Sequence, residues 1–217
     1  MTPTKKTLHL VKRSRAAGTI AKNVSSLLPY SRSGYRRYLR SDADSHMPWY
    51  GASFQLSSEA HNISKGVNFG LPKFLDHYEA FFKQLVTEFD DGSGWIVNHD
   101  RYDRAWWPND EPTLPALRAL FAQNRVPDSF TGALRLTKPE VLAFAPELLS
   151  YPAGVFSEDR FMYSDVDVSH GKRPIIIKIS SHLNVDFLST DQALVQAVVK
   201  KHSIPIFTVK PYRGTSL

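Results

Sequence analysis

Three consecutive segments in the C-terminal third most constrain the fold, because each one resembles a β-strand and short polar turns separate them. They are FMYSDVDV (161–168), PIIIKIS (174–180) and HLNVDFL (182–188). In the third segment Leu183, Val185 and Phe187 alternate with polar residues, which is typical of a strand with one buried face. Strands joined by such short turns pair in antiparallel order. We therefore expect an antiparallel sheet here.

The chain continues with a predicted helix and one more strand. Ser189 or Thr190 is expected to cap a helix that runs to about Lys201, and the segment IPIFTV (204–209) is expected to close the sheet. The predicted order of this region is β-β-β-α-β. A second, stronger helix is predicted for Pro72–Phe89, where apolar residues recur at helical spacing and Pro72 suits the first turn.

Further elements are predicted between these two regions. Strands are expected at Ser53–Leu56, half-exposed, at Trp95–Val97 and at Leu134–Leu136. Thr113 is expected to cap a helix that runs to about Gln123. The motif Thr137-Lys-Pro-Glu140 is a capping box, and its helix runs to about Ala145, where Pro146 bends or ends it. The fold class is α+β, one domain with a mostly antiparallel C-terminal sheet covered by amphipathic helices.

A basic N-terminal arm precedes this domain. Residues 1–41 contain ten of the 27 basic residues and no acidic residue, a net charge of +10. Residues 42–217 contain 17 basic and 21 acidic residues, a net charge of −4. We divide the chain into an arm at 1–45 and a single α+β domain at 46–217. Such an arm suits a polyanionic partner, which includes nucleic acid, an anionic membrane surface and an acidic protein.

Within the arm, an amphipathic helix is predicted before Pro29, followed by a tract in which arginines and tyrosines are interspersed. Arginines neutralise phosphates and tyrosines stack on bases. The predicted nucleic-acid contacts are Lys12, Arg13, Arg15, Lys22, Arg32, Tyr35, Arg36, Arg37, Tyr38 and Arg40. The alternatives are an organelle-targeting segment, whose composition is similar, and an inert solvated extension.

A set of carboxylates carries the main enzymatic alternative. Asp165 and Asp167 are separated by one strand residue and therefore point to the same face. Asp186 is predicted on another strand, and if the strands pair as expected, the three carboxylates and Lys178 share one face. Three carboxylates on one face could hold Mg²⁺ or Mn²⁺ for nucleotidyl or phosphoryl transfer or for hydrolysis. The simpler interpretation is a polar strand face with cross-strand partners such as Asp165 and Lys178.

Residues 154–186 resemble part of the nucleotidyltransferase pattern, which has a Gly-Ser pair, an Asp-x-Asp and a third acid. Gly154 precedes the aspartate pair by about the expected distance, but Val155 stands where that pattern has a small hydroxyl residue or glycine. The phosphate-cradling part of the motif is therefore missing, and the family is not assigned.

A long polar loop offers a third set of candidates. His99, Asp100 and Asp103 lie in it, but no second histidine stands nearby at metal-ligand spacing. Its second half holds Trp106, Trp107, Asp110 and Glu111, which could contact a protein partner, as in an inhibitor or immunity-type protein. The alternative is that the tryptophans close the core.

Composition excludes several classes of site and favours an intracellular protein. The chain has no cysteine, so disulfides, thiolate metal sites and cysteine nucleophiles are excluded. No run approaches the roughly 20 apolar residues of a membrane span, and the N-terminus has no secretory apolar region. We expect a cytoplasmic, non-enzymatic binding protein without a cofactor. Its basic arm would contact nucleic acid or another polyanion, and its acidic body would bind a protein.

Overall fold

One antiparallel sheet organises the molecule. The computed structural model describes residues 8–12, 50–57, 71–100, 104–160, 163–212 and 217. Its strands are β1 His9–Val11, β2 Tyr50–Leu56, β3 Trp95–His99, β4 Ala133–Leu136, β5 Val166–His170, β6 Ile175–Ser180, β7 Asn184–Ser189 and β8 Phe207–Pro211. They lie in the order β1-β4-β3-β5-β6-β7-β2-β8, and every neighbouring pair is antiparallel. The predicted α+β class is confirmed.

Four helices of the described residues pack on one face of this sheet, which we call the core face. They are α1 Leu71–Phe89, α2 Pro115–Gln123, α3 Lys138–Gly154 and α4 Gln192–His202. The ring of Phe81 in α1 lies 4.6 Å from that of Phe54 in β2, and Phe89 lies 5.3 Å from Phe187 in β7. α3 contacts β5 and β6, and α4 contacts β2 and β7. The main hydrophobic core therefore lies between the helices and the core face.

Several local predictions need correction. β2 is buried on both faces rather than half-exposed: Phe54 packs on Phe81 of α1 on one face, and Ser53, which points to the other face, is also buried. α2 has Leu114 at its N-cap in a left-handed conformation, instead of Thr113. Asp191 caps α4 in place of Ser189 or Thr190, since its carboxylate accepts the Leu194 N–H at 3.2 Å.

α3 begins at the predicted capping box and extends further than expected. The Glu140 carboxylate accepts both the N–H and the hydroxyl of Thr137 at 2.8 Å. The helix then continues past Pro146 to Gly154. The Ser150 hydroxyl donates to the Pro146 carbonyl at 2.7 Å, and buried residues on both sides of the proline hold the helix against the core.

Part of the predicted arm belongs to the sheet. β1 pairs with β4, with His9 opposite Arg135, and forms one edge of the described sheet. The side chain of Leu8 is buried, and its N–H donates to the Asn124 side chain at 2.7 Å. The rest of the arm, and the helix predicted within it, lie outside the described residues. Among the described helices, none is long and apolar enough to span a bilayer.

Candidate functional site

A row of polar side chains crosses five strands on the face of the sheet opposite the helices, which we call the second face. Cross-strand register joins Asn98 to Asp167, Asp167 to Lys178, Lys178 to Asp186 and Asp186 to Ser53. Directly opposed residues in a sheet point to the same side. We call these five residues the polar row. The structure thus places Asp167, Lys178 and Asp186, which the sequence singled out, side by side.

The polar row is buried, which is unusual for charged side chains. Asp167, Lys178 and Asp186 are only 2–3% exposed, and Asn98 is fully buried. Buried charges are tolerated when they are paired and hydrogen-bonded. The burial therefore demands that each charge has a specific partner.

Lys178 provides that pairing. Its Nζ lies 3.0 Å from Asp165 Oδ2 and 3.5 Å from Asp167 Oδ1. Asp165 precedes β5 and also accepts the N–H of Ser181 at 2.8 Å through Oδ1. One ammonium of β6 therefore holds two carboxylates at the start of β5, which stabilises the β5–β6 register.

Asp186 has mainly neutral neighbours. Its carboxylate accepts a hydrogen bond from the Asn184 amide, which also donates to the Ser53 hydroxyl at 3.0 Å. Burial raises the pKa of Asp186 to about 6, although Ser53, Lys178 and Asn184 oppose this rise. At Asp165 burial also acts to raise the pKa, but Lys178 and the hydrogen bonds from Ser181 outweigh it and the pKa is lowered. The different environments of the two carboxyl groups thus shift their pKa values in opposite directions.

This arrangement stabilises charge within the sheet and does not resemble an open metal site. An ammonium stands between Asp165 and Asp167, where a divalent cation would need their oxygens. Within the part of the chain that the structure describes, no three His, Asp or Glu side chains are grouped to hold a metal ion. Whether Asp165, Asp167 and Asp186 have a catalytic role stays a prediction.

His99, which was predicted in the long loop, is instead the last residue of β3 and lies on the core face. His99 is fully buried, with its ring centroid 5.2 Å from that of Trp106 and 5.8 Å from that of Tyr163. Asp100 follows β3, and its N–H donates to the Asp165 carbonyl at 3.0 Å. Asp103 lies outside the described residues. The described residues therefore include two members of this predicted group, His99 and Asp100.

The two tryptophans have different environments. Trp106 is 1% exposed and donates through Nε1 to the Gly132 carbonyl at 2.9 Å, which places it in the core. Trp107 is half-buried, and the Arg118 guanidinium lies 4.2 Å from its ring centroid. Asp110 and Glu111 are exposed beside it. The predicted protein contact thus consists of one half-buried tryptophan and two exposed carboxylates.

That loop segment is braced by the surrounding structure. The Asn109 amide donates to the Phe156 carbonyl at 3.1 Å, and Arg118 donates to the Asn109 carbonyl at 3.1 Å. Asn109 Oδ1 also accepts the Glu111 N–H at 3.1 Å. These bonds fix the backbone that presents the two carboxylates.

Of the ten predicted nucleic-acid contacts, the described residues include Lys12 alone. Lys12 is exposed directly after β1, at the edge of the sheet. The other nine, from Arg13 to Arg40, lie outside the described residues.

Two polar clusters in the structure were not predicted from the sequence. Buried His170 accepts the N–H groups of Lys172 and Arg173 through Nδ1, at 3.1 and 2.8 Å, while its Nε2 lies 3.4 Å from Asp91. Burial lowers the pKa of His170, and Asp91 partly opposes this. The polar turn that follows His170 marked the end of the strand, but it gave no sequence signal for these two hydrogen bonds.

The second missed cluster borders a groove between α1 and α4 of about 800 Å³. Glu88 lies 2.8 Å from Lys201 and 3.3 Å from His202, and these two groups together lower its pKa despite its partial burial. Phe81 and Phe207 line the apolar part. No periodicity within one helix predicts this pairing, because it joins residues more than 100 positions apart.

Comparison with known proteins assigns no function to this site. No protein-family model, curated protein or solved structure matches the chain.

Proposed function

We propose that this chain is a non-enzymatic binding protein, whose basic N-terminal segment contacts nucleic acid or another polyanion and whose acidic body binds a protein partner. The observation that carries the proposal is the charge segregation, +10 over residues 1–41 against −4 over residues 42–217. Clustered Lys and Arg bind phosphates through electrostatic attraction and counterion release, and this requires no particular base sequence.

The ion pairs of Lys178 favour a binding function over the alternative, which is a metal-dependent transferase or hydrolase. A divalent cation between Asp165 and Asp167 would lie beside the Lys178 ammonium, which is 3.0–3.5 Å from the same carboxylates. At such separations repulsion between cations costs several kcal/mol at an effective dielectric constant of about 20. The ammonium thus opposes metal binding in the geometry observed.

The body's proposed contact is the segment Trp107–Glu111. Trp106 is buried, so the aromatic part of the contact falls to Trp107, with Asp110 and Glu111 as charged groups. Aromatic side chains contribute strongly when they become buried at the centre of an interface. An inhibitor or immunity-type role would use this same loop surface.

The arm is tested by titrating the full-length chain into a fluorescent single-stranded oligonucleotide. Changing Arg36, Arg37 and Arg40 to Gln removes three positive charges from the arm. We expect the affinity at low salt to fall at least about tenfold, because each lost phosphate contact removes a share of the electrostatic free energy.

The matched control changes Arg104, Lys172 and Lys200 to Gln. These residues are exposed on the body, and their substitution removes the same number of positive charges. The control should bind nearly as tightly as the unchanged chain. Equal losses in both triple variants would show that net charge alone drives binding, and the proposed role of the arm would be wrong.

The loop is tested by a comparative pull-down with the full-length chain. Trp107→Ala should lose a partner that the unchanged chain retains, whereas Glu158→Gln, an exposed change outside the loop, should retain it. Equal retention by Trp107→Ala would contradict the proposed contact.

A further inference from the structure

The turn between β5 and β6 is held by a buried histidine. His170 ends β5 and is fully buried, and its Nδ1 accepts the N–H of Lys172 at 3.1 Å and that of Arg173 at 2.8 Å. A ring nitrogen that accepts hydrogen bonds carries no hydrogen, so the neutral imidazole has its hydrogen on Nε2. The geometry therefore selects one tautomer, in which the side chain fixes the backbone of the turn that follows it.

The same turn packs closely against the turn between α1 and β3. The Gly171 N–H donates to the Gly94 carbonyl at 2.9 Å. A Cβ at position 171 would lie 2.8 Å from the Ser93 carbonyl oxygen and 2.9 Å from that of Gly94, so a larger residue would require the backbone to shift. The Arg173 guanidinium lies 5.0 Å from the centre of the Phe89 ring. The conformation of the β5–β6 turn therefore determines whether the two turns stay in contact.

Charged groups surround the imidazole unevenly. Asp91, on the turn between α1 and β3, has its Oδ1 3.4 Å from Nε2, and neighbouring Asp90 pairs with Lys138 of α3 at 3.3 Å. Arg173 on the histidine's own turn acts in the opposite sense, and the uncharged Trp95 of β3 packs on the ring at 5.0 Å between centroids. Burial lowers the pKa of the imidazole below its ordinary value of 6.5, and the carboxylates oppose this only in part. The closed turn therefore favours the neutral ring.

Protonation of this ring conflicts with the closed turn. The proton has to add at Nδ1, because Nε2 already carries hydrogen, and an imidazolium has no acceptor left for the two backbone amides. Both hydrogen bonds are then lost. When the turn opens, the ring reaches water and takes a proton at its ordinary pKa. Lowering the pH below about 6.5 therefore favours the open turn, because the open form binds the proton more tightly.

We propose that His170 is a pH-sensitive latch, which in its neutral form holds the β5–β6 turn against the turn between α1 and β3 and which releases it when Nδ1 is protonated. Release frees the amides of Lys172 and Arg173 and separates the Arg173 guanidinium from the Phe89 ring. The proton comes from solvent, and no ligand is required. The inference goes beyond the proposed function and does not depend on it.

Hydrogen exchange of the full-length chain, followed by NMR, tests the latch. Protection factors, which correct for the intrinsic effect of pH on exchange, are compared at about pH 7.5 and about pH 5. Those of the Lys172 and Arg173 amides should fall about fivefold to 30-fold on acidification, since about 1.5 pH units below the ordinary pKa allow at most about 30-fold. The Arg125 amide, which donates to the Ala122 carbonyl at 3.0 Å, should change by less than about twofold because no titratable group accepts it.

The matched variant is His170→Asn. Its side-chain oxygen can occupy the position of Nδ1 and accept the same two amides, but it does not titrate. We expect this variant to show the same protection at both pH values. The proposal would be overturned by unchanged protection in the native chain or by an equal fall in His170→Asn. An equal fall at Arg125 would also overturn it, because acid would then loosen the whole chain.

If His170→Asn fails to fold, the tautomer in the unchanged chain decides. At about pH 7.5, long-range ¹H–¹⁵N correlation spectra should show an unprotonated Nδ1 and a protonated Nε2 for His170, and the ring should titrate below about pH 6.5. A hydrogen on Nδ1, or titration at about pH 6.5 or above, would overturn the latch. No polyanion or protein partner is present in these experiments. A failure of the proposed function would therefore leave this result intact, and the converse also holds.

Discussion

At the scale of single residues, Asp186 is the side chain whose environment most affects how stability depends on pH. Its pKa is about 6 in the folded chain, above the ordinary value of 3.8, because it is buried. The folded chain therefore holds this proton more tightly than the unfolded chain does. Its contribution to stability is complete below about pH 4 and is lost as the pH rises to about 6.

Asp186→Asn should reduce this dependence on pH. The shift of about two pKa units corresponds to at most about 3 kcal/mol, at about 1.4 kcal/mol per unit. Between about pH 4 and pH 7 we expect the fall in the free energy of unfolding to be smaller in the variant by up to that amount. Urea unfolding across this range measures it, with exposed Asp128→Asn as the control. Identical profiles for Asp186→Asn and the unchanged chain would contradict the assigned environment.

Lys178 should be the most sensitive single residue of the polar row. Lys178→Met removes the ammonium that lies 3.0 Å from Asp165 and 3.5 Å from Asp167, leaving buried carboxylates without it. Losing one partner of a buried ion pair costs about 3–5 kcal/mol. Exposed Lys200→Met should change stability by less than about 0.5 kcal/mol. A loss at Lys178 no larger than at Lys200 would show that the ion pairs do not stabilise the fold.

The sequence predicted part of this residue-scale picture. Strand alternation placed Asp165 and Asp167 on one face and suggested Lys178 as a cross-strand partner, because a period of two is a local property. The burial of the row could not be predicted, since it depends on what packs against the sheet. Alternating polarity in a strand usually indicates that the polar face of the sheet is exposed to solvent, but here the polar face is buried.

At the scale of elements, α2 depends on a cap supplied by another helix. The Glu147 carboxylate, from α3, accepts the Ala116 N–H at 2.8 Å and the Leu117 N–H at 2.5 Å. A carboxylate at a helix N-terminus also interacts favourably with the helix dipole. A cap from 30 residues away leaves no local sequence signal, which is why Thr113 was the predicted cap.

Glu147→Ala should therefore destabilise the chain by about 0.5–2 kcal/mol, the range typical for loss of a helix cap. Chemical denaturation monitored by tryptophan fluorescence measures the change. Glu158→Ala, an exposed change without a capping contact, is the matched control and should be close to neutral. Equal stability of the two variants would show that α2 does not need this cap.

Element types were better predicted than element ends. α1 was predicted as Pro72–Phe89 and is observed at Leu71–Phe89, because its apolar spacing is strong and continuous. α3 was expected to bend or end at Pro146 and continues to Gly154, because burial of Leu148, Leu149 and Tyr151 outweighs the hydrogen bond that proline removes. The position of β2 between β7 and β8 could not be predicted, since it depends on pairing between distant segments.

At the scale of the whole molecule, charge is divided between a positive N-terminal segment and a negative body. The proposed function uses this division, because the positive segment is the part proposed to contact an external polyanion.

The salt dependence of oligonucleotide binding by the full-length chain tests the central claim most directly. Each phosphate neutralised on a single strand contributes about 0.7 to the slope of log affinity against log salt concentration. We predict a clearly negative slope for the unchanged chain and a slope shallower by about 2 when Arg36, Arg37 and Arg40 become Gln. With Arg104, Lys172 and Lys200 changed to Gln instead, the slope should stay as in the unchanged chain. A slope near zero in the unchanged chain, or one that the arm substitutions leave unaltered, would contradict the claim that this segment binds a polyanion.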